Sequence, residues 1–88
     1  MIYINRSNFK EFTESTPLED IISIVVDNGR GRIILKEDDA LLDLSLINLI
    51  HNDRRVAHIE KGSVHVSELP VKRLVFRYVD KFVIDIYF

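Results

Sequence analysis

Two histidines and a glutamate, His58, Glu60 and His65, are the residues whose types and spacing best suit chemistry. If Gly62 and Ser63 form a two-residue hairpin turn, Glu60 lies opposite His65, and His58 shares their face of the two strands. Two imidazoles and a carboxylate on neighbouring strands can hold zinc or iron. The outer face of a hairpin is polar in any case, and this simpler interpretation is preferred. A metal-dependent enzyme is therefore the second alternative, and neither a metal nor a cofactor is expected.

Other patterns that suggest catalysis are weaker. Glu37, Asp38 and Asp39 are neighbours in one charged stretch, whereas acid–base catalysis needs two carboxyls in different environments. The absence of cysteine excludes a disulfide scaffold and a thiolate metal site. Residues 28–32, Asn-Gly-Arg-Gly-Arg, could form a phosphate-binding nest, but the tip of a hairpin explains both glycines without a ligand. We therefore expect no catalytic residues and lean against an enzyme.

Charge is distributed unevenly along a chain whose formal net charge is −2. Residues 1–53 are acidic overall, and residues 54–81 are basic. A basic surface with aromatic side chains between its charges is typical of proteins that bind nucleic acids. A nucleic-acid-binding small β-barrel is therefore the first alternative function. Its predicted contact residues are Arg54, Arg55, Lys72, Arg73 and Arg77.

The last part of the chain is rich in aromatic residues and is predicted to form a hairpin. Its strands are Leu74–Val79 and Phe82–Phe88, joined by Asp80 and Lys81. Both faces of this hairpin are largely apolar, so either both are covered within the domain or one binds another chain. With this turn, one face carries Val75, Arg77, Val79, Phe82, Ile84 and Ile86. The residues predicted to contact a partner are Phe76, Tyr78, Tyr87 and Phe88.

These observations favour a non-catalytic protein-binding module. Such a module could dock on a larger protein, as small inhibitors, immunity proteins and proteins of mobile elements do, or form a homodimer. No signal sequence and no apolar run of the length that spans a bilayer is visible, so a cytoplasmic location without membrane contact is expected.

The elements that position these residues are predicted to be mainly strands. The chain has 12 Ile and 9 Val but only 2 Ala. Side chains branched at Cβ suit a pleated sheet, whereas alanine is the strongest helix former. A length of 88 residues fits a single domain, residues 1–88.

Two hairpins and one helix can be placed before the last hairpin. Asn28-Gly29 between apolar runs predicts a turn that places Ile22, Ile24 and Val26 opposite Leu35, Ile33 and Gly31. Val56–Lys61 and Val64–Leu69 predict a second hairpin around Gly62-Ser63. Ser7 is a candidate cap for a short helix that carries Phe9 and Phe12 on one face, after a first strand around Tyr3.

Two segments stay ambiguous between helix and strand. Residues 17–27 begin like a helix at Thr16-Pro17, but their β-branched residues favour a strand, and a single helical turn leading into a strand combines the two. Within residues 39–50, the alternation of Leu42 to Leu46 favours a strand. The predicted fold is α+β and mainly β: a short N-terminal strand and helix, then an antiparallel β-meander that forms a small barrel or sandwich.

Overall fold

A computed structural model describes all residues, 1–88, and consists mainly of strands. The strands are β1 (Ile2–Tyr3), β2 (Ile21–Asp27), β3 (Arg30–Leu35), β4 (Asp39–Leu42), β5 (Leu44–His51), β6 (Arg54–Ile59), β7 (Lys61–Val64), β8 (Arg73–Val79) and β9 (Lys81–Tyr87). One α-helix, α1 (Phe9–Ser15), and two 3₁₀ turns, Leu18–Asp20 and Val66–Glu68, complete the chain. The predicted class, α+β and mainly β, is confirmed.

The strands form two sheets that share one core. The N-terminal sheet has the order β1-β4-β3-β2-β7, and the C-terminal sheet has the order β6-β5-β9-β8. The predicted antiparallel meander is wrong, because β1 pairs in parallel with β4, and β5 pairs in parallel with β9. Both sheets are therefore mixed, and the strands do not close into a barrel.

Apolar side chains from both sheets and from α1 form the core. Ile24 and Ile33 of the N-terminal sheet and Ile84 of the C-terminal sheet are fully buried. The ring of Phe9 lies 5.4 Å from that of Phe82, in an edge-to-face arrangement. Helix α1 therefore closes the core at one side of the C-terminal sheet. No helix of the protein has the length and apolar character needed to cross a membrane.

The hairpin predicted at Asn28 and Gly29 is confirmed, and it joins β2 to β3. Both turn residues have positive φ, 48° at Asn28 and 85° at Gly29, as this kind of turn requires. Gly31, in the following strand, has no room for a side chain. A Cβ atom there would lie 2.5 Å from the Cβ of Leu44, where the chain passes from one sheet to the other.

The start of β2 departs from the prediction. The register shifts between Ile21 and Ser23, so Ile21 rather than Ile22 pairs with Leu35. Ile21 is buried, whereas Ile22 is 39% exposed. The preceding 3₁₀ turn, Leu18–Asp20, leads directly into the strand, which is the combined arrangement considered for this segment.

The first helix is short, as predicted, but Ser7 is not its cap: the N-cap residue is Asn8, whose side chain makes no capping hydrogen bond, and the helix starts at Phe9. Asn8 precedes α1, and the loop before it is held by Asn5. The Asn5 side-chain oxygen accepts hydrogen bonds from the backbone N–H of Ser7 and of Asn8, at 2.9 and 3.1 Å. The prediction that Phe9 and Phe12 share one face is confirmed, and this face packs on the core.

The hairpin predicted around Gly62 and Ser63 is wrong. Strand β6 lies at an edge of the C-terminal sheet, and β7 lies at an edge of the N-terminal sheet, beside β2. Gly62 lies within β7 and pairs with Val26. The chain therefore changes sheets at Glu60, so the expected pairing of Glu60 with His65 does not exist.

The hairpin of β8 and β9 exists, but the predicted register is wrong by one residue. Val79 pairs with Lys81, so Asp80 alone forms the turn, at φ 65°. Because side chains alternate along a strand, this shift moves every side chain of β9 to the opposite face from the one predicted. Phe76 consequently pairs with Ile84 and faces the core. Strand β9 lies in the interior of its sheet, between β5 and β8.

Candidate protein-binding strand

Strand β8 is an edge strand with one free side. All seven of its residues pair with β9 without a register shift, and no strand lies on its other side. In an edge strand every second residue presents its N–H and C=O groups away from the sheet. We call this side of β8 the free edge.

The two faces of β8 differ in their surroundings. On the core face, Leu74 and Phe76 are half-buried, and the Phe76 ring lies 6.2 Å from that of Phe12 in α1. The opposite face, called the outer face of the C-terminal sheet, carries Val75 and Val79. Val79 is 64% exposed, so the last residue of the strand presents apolar surface to water.

A buried carboxylate organises the outer face. Asp85, in the neighbouring strand β9, is 4% exposed. The Arg77 guanidinium donates two hydrogen bonds to this carboxylate, from Nε to Oδ2 at 2.7 Å and from Nη2 to Oδ1 at 3.0 Å. The Asn48 amide of β5 donates a third hydrogen bond to Oδ1 at 2.9 Å. The Asn48 Oδ1 atom is buried and has no hydrogen-bond partner of its own.

These contacts set the protonation state of the carboxylate. The Arg77 hydrogen bonds lower the pKa of Asp85 below its ordinary value, and the Asn48 hydrogen bond acts in the same direction. Burial opposes them, because it disfavours a charge. The same contact with Asp85 raises the pKa of Arg77. Asp85 is therefore ionised at neutral pH, and the two side chains form a charged pair.

The second arginine of β8 is also held over β9. The Arg73 guanidinium carbon lies 4.1 Å from the centre of the Tyr87 ring, within the range of a cation–π contact. Arg73 pairs with Tyr87 across the two strands. Both arginines of β8 thus extend across the sheet toward β9, and neither charge is directed along the free edge.

The other three edge strands are less suited to pairing with another chain. Strand β1 has two residues and β7 has four. Strand β6 has six residues, but its pairing with β5 shifts between Leu49 and Ile50, and it begins with the exposed residues Arg54 and Arg55. Short length, irregular pairing and free charge are the usual features that protect an edge. Only β8 lacks all three.

The structure separates the four aromatic residues predicted to bind a partner. Phe76 and Tyr78 lie on the core face of β8, where Tyr78 is 40% exposed and contacts the Arg6 guanidinium at 5.0 Å. Tyr87 lies on the outer face. Phe88 stacks on His51 with ring centres 5.0 Å apart, beyond the end of β9. The four side chains do not form one patch, but Phe76 and Tyr78 both belong to the candidate strand.

The five basic residues predicted to bind nucleic acid lie in and around the C-terminal sheet. Arg73 and Arg77 are on the outer face of β8, and Arg55 pairs with Ile50 at the far edge of the same face. Arg54 pairs with His51 in the neighbouring position of β6. The fifth residue, Lys72, precedes β8 and donates its backbone N–H to Tyr87. The two arginines nearest the centre are engaged internally.

The weak candidates for a metal site are distributed over both sheets. His58 is in β6, Glu60 follows it, and His65 follows β7, beside Glu68 at 3.8 Å. No three histidine, cysteine, aspartate or glutamate side chains form a group that could hold a metal ion.

A cavity lies elsewhere, on the N-terminal sheet. It has a volume of about 780 Å³, and its lining includes Tyr3, Val25 and Leu41. Its lining carries two acidic residues, Asp27 and Asp43, and two basic residues, Arg30 and Arg32. Asp27 lies opposite Arg30 across β2 and β3. An open groove with balanced charges indicates no particular ligand.

Sequence reasoning missed Asp85, Asn48 and Val79. The sequence does indicate that Asp85 is unusual, because it is the only charged residue between Phe82 and Phe88 and its neighbours on both sides are apolar. Asn48 carries no such signal, since its partner Asp85 is 37 residues away in the chain. No protein-family model, no curated protein and no solved structure matches this chain.

Proposed function

We propose that the protein is a non-catalytic protein-binding module that accepts an extended segment of another polypeptide along the free edge of β8. Addition of a strand to a sheet edge derives affinity from backbone hydrogen bonds and specificity from alternate side chains. The observation that carries this proposal is the engagement of both arginines of β8 by Asp85 and Tyr87. An edge of seven regularly paired residues is left without a free charge.

The side chains beside the edge suit such a ligand. On the core face, Phe76 and Tyr78 offer aromatic surface to every second residue of a bound strand, and aromatic anchors contribute strongly at protein interfaces. On the outer face, Val75 and Val79 offer apolar surface to the residues between them. The bound segment is therefore expected to span about five to seven residues, the usual length of a strand. It should carry apolar side chains on the face beside Phe76 and Tyr78, and apolar side chains or the aliphatic parts of long ones on the face beside Val75 and Val79.

Selection of peptides by the whole protein from a random display library tests this function and identifies a ligand directly. The enriched peptides would be added to the isotope-labelled protein, and amide hydrogen exchange would be followed by NMR. We expect protection of alternate amides in β8 and no change in β6. Enriched peptides that affect only the groove near Tyr3 and Leu41, or a library without enrichment, would refute the proposal.

Nucleic-acid binding is the second candidate, supported by the common position of Arg55, Arg73 and Arg77 on the outer face. A labelled single-stranded oligonucleotide at about 50 mM salt discriminates between the two functions, because phosphate binding weakens steeply as salt increases. The proposed function predicts no saturable change in fluorescence anisotropy. Salt-sensitive binding that is lost in Arg55→Ala would favour the alternative.

A further inference from the structure

We propose that the segment bound by β8 is β8 of a second copy of this chain, antiparallel to the first and centred on Phe76. This inference rests on the proposed function, since it names the partner of the same edge. The two C-terminal sheets would then form one continuous sheet across a two-fold axis, with β8 of each copy at its centre.

Symmetry limits the possible registers. A two-fold axis perpendicular to the sheet keeps the core faces of both copies on the same side of the joined sheet. In each register that this axis allows, one residue lies opposite the same residue of the other copy, and that residue marks the centre of the pair. When this residue is Phe76, all seven residues of β8 find a partner. Arg73 of one copy then lies opposite Val79 of the other, and Val75 lies opposite Arg77.

Avoidance of like charges opposite each other selects this register over its neighbours. Centring the pair on Val75 places Arg73 opposite Arg77, and centring it on Arg77 places that residue opposite itself. Like charges directly opposite each other destabilise a strand pair. Only the register centred on Phe76 combines complete overlap with the absence of any arginine directly opposite another.

The same register covers the apolar surface that β8 leaves exposed. Val79, 64% exposed, would contact the aliphatic part of Arg73 of the other copy. On the core face, Tyr78, 40% exposed, would lie opposite Leu74. The exposed C-terminal end of β8 in each copy thereby contacts the N-terminal end of β8 in the other copy. A symmetric interface requires this kind of self-complementarity.

The strength of the association follows from its size. One pair of strands buries little surface compared with the roughly 1,200–2,000 Å² of a stable protein–protein interface. We therefore expect a reversible dimer whose fraction increases with protein concentration, rather than a permanent one.

Opposite charges placed at Val79 provide a matched test. In Val79→Glu, each carboxylate would lie opposite Arg73 of the other copy, and in Val79→Lys each ammonium would. Since every pair occurs twice, the dimer dissociation constant should fall about two- to thirty-fold in the first variant and rise by a similar factor in the second. Sedimentation equilibrium over a concentration series measures both. The same substitutions at Val56, which is 56% exposed on β6, are controls that should change nothing.

Cross-linking tests the register itself. The chain has no cysteine, so introduced thiols report single positions. Under oxidation, a mixture of Val79→Cys and Arg73→Cys proteins should form a disulfide between the two copies. Val79→Cys alone should not, because its two thiols would be six residues apart, about 20 Å.

Three results would overturn the inference: a strict monomer at about 1 mM, equal effects of Glu and Lys at Val79, or cross-linking of Val79→Cys with itself. A monomer whose β8 amides are protected by library-selected peptides would leave the proposed function intact and reject only the second copy as the partner. A dimer whose β8 amides exchange freely would reject the second copy as the partner of this edge, and it would reject the proposed function as well if no selected peptide protected β8.

Discussion

The two edge strands of the C-terminal sheet differ in how they use arginine. Each carries two arginines, Arg54 and Arg55 in β6 and Arg73 and Arg77 in β8. The arginines of β6 are exposed and form no ion pair, whereas Arg77 binds Asp85 and Arg73 covers an aromatic ring. The pairing of β6 is also irregular, whereas that of β8 is not.

This difference shows that the number of charges in an edge strand does not determine whether the edge is protected. A charge discourages pairing with another chain when it is free to remain beside the edge. A charge that is bound by the adjacent strand has lost this effect and instead stabilises the sheet. Substitutions that release a bound arginine or remove a free one test this distinction. The first concerns the ion pair of Arg77 and Asp85, which has no counterpart in β6.

Removal of the carboxylate should have the largest effect. In Asp85→Ala, Arg77 and Asn48 lose their common partner, and hydrogen bonds to charged groups contribute about 1.5–3 kcal/mol each. Arg77 is half-exposed and can regain water, so we expect the free energy of unfolding to fall by about 2 to 3 kcal/mol. Urea denaturation measures this change. The released Arg77 should then protect β8, and any self-association should weaken.

An exposed ion pair provides the control. Asp38 accepts a hydrogen bond from the N-terminal amino group at 3.0 Å, and both groups are about half-exposed to water. Such surface pairs contribute little to stability. Asp38→Ala should therefore leave both the unfolding free energy and the self-association nearly unchanged. A loss equal to that of Asp85→Ala would show that burial of the carboxylate is unimportant.

Acid should weaken the same pair in a predictable direction. The pKa of Asp85 is lower in the folded protein than in the unfolded chain, where an aspartate titrates at about 3.9. The folded state therefore binds fewer protons in this range, and the stabilisation is complete only above the unfolded pKa. It is lost as the pH falls through the pKa of the folded protein.

Unfolding free energies measured between pH 2 and pH 7 test this dependence. The parent protein should lose stability below about pH 4, and Asp85→Asn, which is already uncharged, should show a flatter profile there. The slope that remains in the variant reports the other carboxylates, including Asp38, whose pKa is lowered by the N-terminal amino group. Parallel profiles would show that Asp85 does not titrate with folding.

The sequence predicted the parts of the fold that depend on neighbouring residues. Asn28 and Gly29 fix the turn between β2 and β3 because both accept positive φ, and this preference is local. The strand content follows from the many β-branched side chains for the same reason. Parallel pairing of β5 with β9 joins residues 37 positions apart, such as Asn48 and Asp85, and no local pattern indicates it.

The predicted register of β8 and β9 is wrong because the turn between them has one residue rather than two. A two-residue turn at Asp80-Lys81 places Phe76 beside Asp85, whereas the one-residue turn places it beside Ile84. The alternation of apolar and charged residues already favoured the second arrangement, because it brings Arg77 and Asp85 to one face. Asp80 permits the tighter turn, since aspartate tolerates positive φ better than most residues. The candidate site could have been predicted in part from this pattern.

The cation–π contact of β8 should have a smaller effect than the ion pair. Arg73→Ala removes the guanidinium from the face of Tyr87, and contacts of this kind contribute about 0.5–1 kcal/mol at exposed sites. Urea denaturation should detect a loss of that size. Arg54→Ala, at an exposed position of β6 without an aromatic partner, is the matched control and should cost less. Equal losses would mean that Arg73 contributes nothing through Tyr87.

The smallest effect is expected at β6, where two forms of protection act together. Arg55→Thr removes an exposed charge but leaves the register shift at Ile50, which interrupts the hydrogen-bonding pattern that a second strand would need. We therefore expect no new association in sedimentation experiments and a change in stability within about 0.5 kcal/mol. A dimer formed by this variant, and insensitive to Val79→Lys, would show that free charge alone protects β6. The engagement of Arg73 and Arg77 would then be sufficient by itself to explain why β8 is open.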